Sequence, residues 1–126
     1  EYYVNKENKK RFKQLKKFEL TKKNFIYLSQ MTKDLNMKFI STPFDLDSAN
    51  FLSKIVDIFK ISSGDNNYFE LIKEVAKFDK KIIISLGLTN MNDVSKLVKF
   101  LKKNNIKKKN FLNALCIKLP CNECRC

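Results

Sequence analysis

An α/β fold with parallel strands is predicted by three observations. Short apolar runs closed by Pro or Gly lie at 38–44 (KFISTPF), 57–63 (DIFKISS) and 81–87 (KIIISLG). Helical patterns separate them, and the strand–helix alternation recurs at roughly 20 residues. Alternation of this kind is what βαβ units produce, because parallel strands need a crossover helix between them.

Each element has its own justification. Residues 8–20 (NKKRFKQLKKFEL) read as a short helix and 21–36 (TKKNFIYLSQMTKDLN) as a longer one. Thr21 is the expected cap of the second, and Phe25, Leu28, Met31 and Leu35 fall at helical spacing. After the first strand, 45–56 (DLDSANFLSKIV) offers Asp47 or Ser48 near its start, with Phe51, Leu52 and Ile55 on one stripe. After the second, 66–78 places Phe69, Ile72, Val75 and Ala76 together. After the third, 89–105 opens on Thr89 or Asn90 as cap and aligns Val94, Leu97, Val98 and Leu101. No low-complexity linker interrupts the order, so one domain is expected.

Composition bounds the chemistry. A chain of 126 residues with 44% hydrophobic content supports one modest core. The formal charge of +13 suits nucleic acid, acidic lipid or phosphorylated metabolites. Nearly all the cations are lysines at solvated helix positions, however, and no clustered basic face with interleaved aromatics accompanies them. The sequence therefore predicts no nucleic-acid partner. It also predicts no membrane span, since no apolar run approaches the roughly 20 residues a spanning helix requires. No export signal opens the chain, so a cytoplasmic protein is expected. It starts on Glu1 rather than methionine, as a piece of something longer would. Histidine is absent, which excludes His-based acid–base work and His metal ligation within these residues. All four cysteines, Cys116, Cys121, Cys124 and Cys126, crowd the C-terminus, where one C-x-x-C without a second is a weak metal signal.

The lysine within the second strand carries more information. Phe59 and Ile61 share one face; Ile58, Lys60 and Ser62 share the other. The apolar pair should pack on helices, which turns Lys60 away from them. In a closed (β/α) barrel that direction is the interior, near the C-terminal mouth where active sites sit. The same parity turns Thr42 and Ser85 inward at the ends of their strands. With the backbone N–H groups of Ser62-Ser63-Gly64, these groups suit a phosphate or carboxylate. The competing reading is an edge-strand lysine that extends to solvent.

At this point the chain resembles the sialic acid synthases, which condense phosphoenolpyruvate with an N-acetylated sugar. The motifs that carry the resemblance are LKKFELT (15–21), FISTPFDLDSANFL (39–52), FKISSGDNNYFELI (59–72) and KKIIISLG (80–87), in family order and spacing. The resemblance implies a partial (β/α)8 TIM barrel of about three to four consecutive units, corresponding to strands three to five and the approach to strand six. It implies that Lys60, Ser63, Ser85 and Thr42 contact phosphoenolpyruvate, with Asp65 as the catalytic carboxylate facing the sugar. Two departures stand out. Asp65 occupies a position where the family usually has glutamate, a reach shorter by roughly 1.5 Å. Leu86 follows Ser85 where threonine is usual. The resemblance further implies a divalent metal (Mn or Mg) and a homodimer. The family's metal-binding histidines, its first-strand glutamate and its second-strand lysine fall outside these residues.

On this reading 1–112 form the central part of the barrel, and 113–126 are a frameshifted tail. With permitted codons, dropping one base at Asn113 converts NALCIKLPCNECRC into MHCVSNYPAMNAD, close to the family's next strand, LLHCVSNYP. The cysteines are then an accident of translation. An isolated set of strands that cannot close a barrel is expected to be inactive and poorly stable. The alternatives are a basic nucleic-acid- or acidic-surface-binding module, whose affinity would fall steeply with salt, and a vestigial truncated product.

Overall fold

The computed structural model describes residues 6–87, 89–104, 106 and 111–114, with the side chains of 6–10 and 111–114 left aside. Nine elements follow in chain order: α1 (Lys6–Lys16), α2 (Lys22–Asp34), β1 (Ile40–Ser41), α3 (Leu46–Leu52), β2 (Ile58–Ile61), α4 (Phe69–Ala76), β3 (Lys81–Ser85), α5 (Met91–Lys103) and β4 (Phe111–Ala114). The four strands form one parallel sheet whose spatial order, β1-β2-β3-β4, is their order in the chain. From β1 onward every step between neighbouring strands passes through one helix. The predicted parallel α/β class is the one observed.

The helix starts are set by local side-chain chemistry. Thr21 caps α2 and forms a capping box with Asn24: the Asn24 backbone N–H donates to Thr21 Oγ1 at 3.3 Å, and the Thr21 N–H donates to Asn24 Oδ1 at 3.0 Å. Asn90 caps α5, accepting the Asp93 N–H at 2.9 Å. The cap of α3 is Asp45, not Asp47 or Ser48. Its carboxylate takes the Ser48 N–H at 2.7 Å and the Ser48 hydroxyl at 2.8 Å. Pro43 stops β1 just upstream, and Asp45 is extended, so the chain turns into the helix earlier than the apolar spacing suggested. After α2, Asn36 takes a left-handed conformation (φ 55°), a position asparagine tolerates, and the Met37 N–H closes the end on the Thr32 carbonyl at 2.8 Å.

The strands are shorter than their apolar runs. Pro43 limits β1. β2 ends at Ile61, because the next residues close a turn in which Asp65 N–H donates to the Ser62 carbonyl at 3.1 Å. β3 ends at Ser85, before a turn in which Thr89 N–H donates to the Leu86 carbonyl at 3.3 Å.

Parity in the sheet decides where the core sits. Phe59, Ile61, Ile82 and Ile84 lie on one face, at most 2% exposed, and cluster with Ala49 and Leu52 of α3, Leu71, Ile72 and Val75 of α4, and Leu97 of α5. Each of the Val, Leu, Ile and Phe side chains among these contributes about 1.5–3 kcal/mol by leaving water. Phe59 stacks on Phe78 (5.8 Å between ring centroids), and Phe69 on Phe100 (4.6 Å). The opposite face carries Ile40, Ile58, Lys60, Lys81 and Ile83, all exposed or half-buried, and Ser85, which is buried at the end of β3.

α2 joins this core through few contacts. Ser29 is its single buried residue and donates its hydroxyl to the Ile55 carbonyl at 2.9 Å. Phe25 meets Phe51 edge-on at 6.4 Å, with the Lys22 ammonium 5.2 Å from the Phe51 ring. Met31 and Leu35, expected on the packed stripe, are 47% and 59% exposed. Just before β1 and β2, Asp57 accepts the Phe39 N–H at 2.8 Å and lies 3.8 Å from the Lys38 ammonium. Lys80 Nζ donates to the Val56 carbonyl at 2.5 Å. Burial pulls the Lys80 pKa below its ordinary value, against the attraction of Asp57. No helix among the described residues is long and apolar enough to cross a membrane.

Candidate functional site

The chemistry-bearing residues singled out in the sequence gather at the C-terminal ends of three adjacent strands. Register fixes their heights. Lys60 pairs with Ile83, and Ser85 stands two residues beyond Ile83 on the same face. Ser41 pairs with Phe59, so Thr42, one residue past β1, comes level with Lys60. Phe59 and Ile61 are fully buried against helices, and Lys60 between them is exposed on the opposite face. The expected parity is therefore observed. The described sheet leaves that face open, so the ammonium stands in solvent there.

The loop after β2 holds Ser63 and Asp65, both half-buried. Its geometry corrects one expectation about free N–H groups. The Gly64 N–H donates to Ser62 Oγ at 3.1 Å, so it is already engaged within the turn. A Cβ on Gly64 would meet Ser62 Oγ at 3.6 Å, an ordinary contact, so the glycine is not demanded by crowding.

Two clefts border this end of the sheet. Thr42 lines one of about 440 Å³, together with Ser41, Glu19, Lys22, Asp47 and Phe51. LKKFELT and STPFD, far apart in sequence, meet there. Ser63 lines the other, of about 410 Å³, with Asn66, Asn67, Thr89, Asp93 and Lys96. Asp93 and Lys96 in its wall pair at 3.0 Å. Lys60, Asp65 and Ser85 line neither. The structure thus brings Thr42, Lys60 and Ser85 onto one face and Ser63 and Asp65 into the adjoining loop, without enclosing the five in a common cavity.

Sequence reasoning passed over Asn66. It is 8% exposed, and its side-chain amide donates to the Ser85 carbonyl at 3.3 Å and reaches Thr89 Oγ1 at 3.5 Å. The signal available was the Asn-Asn pair directly after Ser-Gly-Asp, where a short amide can bond across to a neighbouring loop.

The divalent metal implied by the resemblance finds no ligand set here. Among the described residues no group of three or more Cys, Asp or Glu converges, and the chain contains no histidine. The C-terminal cysteines lie outside the described residues.

Comparison with known proteins places this arrangement. The chain belongs to the NeuB family, whose model matches residues 1–120. It is 38% identical over 97 residues to N,N'-diacetyllegionaminic acid synthase of Campylobacter jejuni, covering 76% of this chain and 29% of that one. It is 33% identical over 87 residues to N-acetylneuraminate-9-phosphate synthase of Drosophila melanogaster, covering 68% and 23%. The crystal structure of N-acetylneuraminic acid (sialic acid) synthetase from Leptospira borgpetersenii, in complex with citrate, superposes with a TM-score of 0.72. That match has 31% identity and covers 84% of this chain and 36% of the other. The chain therefore spans less than a third of the length of these curated relatives.

Proposed function

We propose that these residues form consecutive β/α units of a (β/α)8 barrel that condenses phosphoenolpyruvate with an N-acetylated amino sugar and releases phosphate. Carbon 3 of phosphoenolpyruvate bonds to the sugar's aldehyde carbon, water adds at carbon 2, and the phosphate leaves with the former enol oxygen. Lys60 supplies a point charge for the substrate's phosphate or carboxylate, and the hydroxyls of Thr42, Ser63 and Ser85 supply hydrogen bonds. Asp65 faces the sugar and handles its proton. The remaining strands, and any divalent metal with its ligands, come from outside these residues.

The observation that carries this reading is the shared face of Thr42, Lys60 and Ser85 at the C-terminal ends of three adjacent parallel strands. In a barrel that face is the interior and those ends are the catalytic mouth. Sequential strand order with the core on one face of the sheet supports closure of that kind. The test is titration of phosphoenolpyruvate into the ¹⁵N-labelled chain. Shifts centred on Lys60, Ser63 and Ser85 are expected, with affinity reduced about tenfold or more by Lys60→Ala, the scale of a charge-assisted hydrogen bond. Shifts scattered over the lysines of α1 and α5 would count against the site. Condensation by the 126-residue chain alone is not expected, and measuring it would remove the requirement for a closed barrel.

A further inference from the structure

We propose that Asn66 is a positioning residue that locks the loop after β2 to the loop after β3, setting Ser63 and Asp65 against Ser85. The functional half of this inference rests on the reading above; the lock itself rests on geometry alone.

The Ser85 carbonyl can only accept, so the Asn66 amide nitrogen must face it, which fixes the orientation of the whole amide. The Thr89 hydroxyl donates to the Leu86 carbonyl, so its lone pairs are turned to accept the second Asn66 N–H. The result is a directed chain, Asn66 N–H to Thr89 O–H to Leu86 C=O, with the Ser85 carbonyl on the other hydrogen. Such chains polarise one another, and they sit in a site that is 92% shielded at Asn66.

Its placement gives the chain consequence. Asn66 directly follows Asp65, and its partners span 85–89, so 19 to 23 residues of sequence separate the two ends. Among the described residues, the backbone bonds of each loop stay within it: Asp65 N–H to the Ser62 carbonyl, Tyr68 N–H to the Asp65 carbonyl, and Thr89 N–H to the Leu86 carbonyl. Asn66 provides the side-chain tie between them and lines the same cleft as Ser63 and Thr89. Aspartate would fit the volume but would set a carboxylate against a carbonyl. The position therefore calls for a donor.

Amide hydrogen exchange on the full 126-residue chain tests the lock. Asn66→Asp and Asn66→Ala should each speed exchange about tenfold at Gly64, Asp65 and Tyr68 and at Thr89 together, leaving Ile82 and Ile84 of β3 unchanged. Thr89→Val should raise exchange at Gly64 and Asp65, although it alters only the other loop. Acceleration confined to one loop, uniform acceleration including β3, or loops unprotected in the unsubstituted chain would each overturn the proposal. Phosphoenolpyruvate titration separates the functional half. If the unsubstituted chain binds and Asn66→Asp binds several-fold more weakly, Asn66 positions the site. Equal binding leaves a lock with no role in substrate positioning and overturns that half. Failure of the unsubstituted chain to bind counts against the substrate reading, while exchange still decides the lock.

Discussion

The β2–α4–β3 unit and the α1–α2 segment contain similar apolar side chains and fare very differently. In the first, Phe59, Ile61, Leu71, Ile72, Val75, Ile82 and Ile84 are all at most 2% exposed. In the second, Phe12, Leu15 and Phe18 are 64%, 60% and 78% exposed, and α2 buries only Ser29. Periodicity predicted an apolar stripe for α4 and for α2. A stripe becomes core only where another element presents a matching surface, and the sheet presents one face to α3, α4 and α5. Helical stability comes chiefly from such packing, so α1 and α2 draw less from the described structure.

That contrast can be broken most forcefully at Phe59. Phe59→Ala should cost about 3–5 kcal/mol, as truncations of large buried aromatics do, read from the urea midpoint. Phe18→Ala, of the same chemistry at an exposed site just after α1, should stay within about 0.5 kcal/mol; an equal loss would mean that the α1–α2 segment is packed after all. Ser29→Ala should cost about 1 kcal/mol by releasing the hydroxyl bond to the Ile55 carbonyl, and should loosen α2 before the sheet. Asn90→Ala should likewise cost about 1 kcal/mol by removing the α5 cap.

The smallest expected effect is a pH dependence. Hydrogen bonds from Ser48, the backbone one first, hold the Asp45 pKa below its ordinary value. A depressed folded-state pKa means that the folded chain binds fewer protons than the unfolded one as acid is added. Asp45 therefore contributes stability above about pH 4 and loses it as pH falls through the depressed value. Asp45→Asn keeps an acceptor at the cap without the titration, so its denaturation midpoint should fall less steeply between about pH 4 and pH 2. Parallel curves would show that the cap carries no such linkage.

Several features were legible because their causes are local. Thr21 and Asn90 announce their helices by the bonds they make three residues on, and the buried pair Phe59 and Ile61 is readable from strand parity. Asp45 was missed in favour of Asp47 and Ser48 because apolar spacing locates a helix less sharply than the backbone turn after Pro43 does. Leu71 lay off the stripe predicted for α4, yet it is fully buried, because α4 has α3 at its side as well as the sheet beneath it.

What the sequence by itself determined is the alternation of strand and helix, the parity that turns Lys60 away from the core, and the motifs that mark the family. These follow from residue type and spacing over a few positions. Only the tertiary structure decided which apolar stripes are covered, that LKKFELT and STPFD share a cleft, and that Asn66 reaches Ser85. Each of those depends on the register between separate strands and on how helices sit against the sheet. Such contacts join residues about twenty positions apart and have no local signature in the chain.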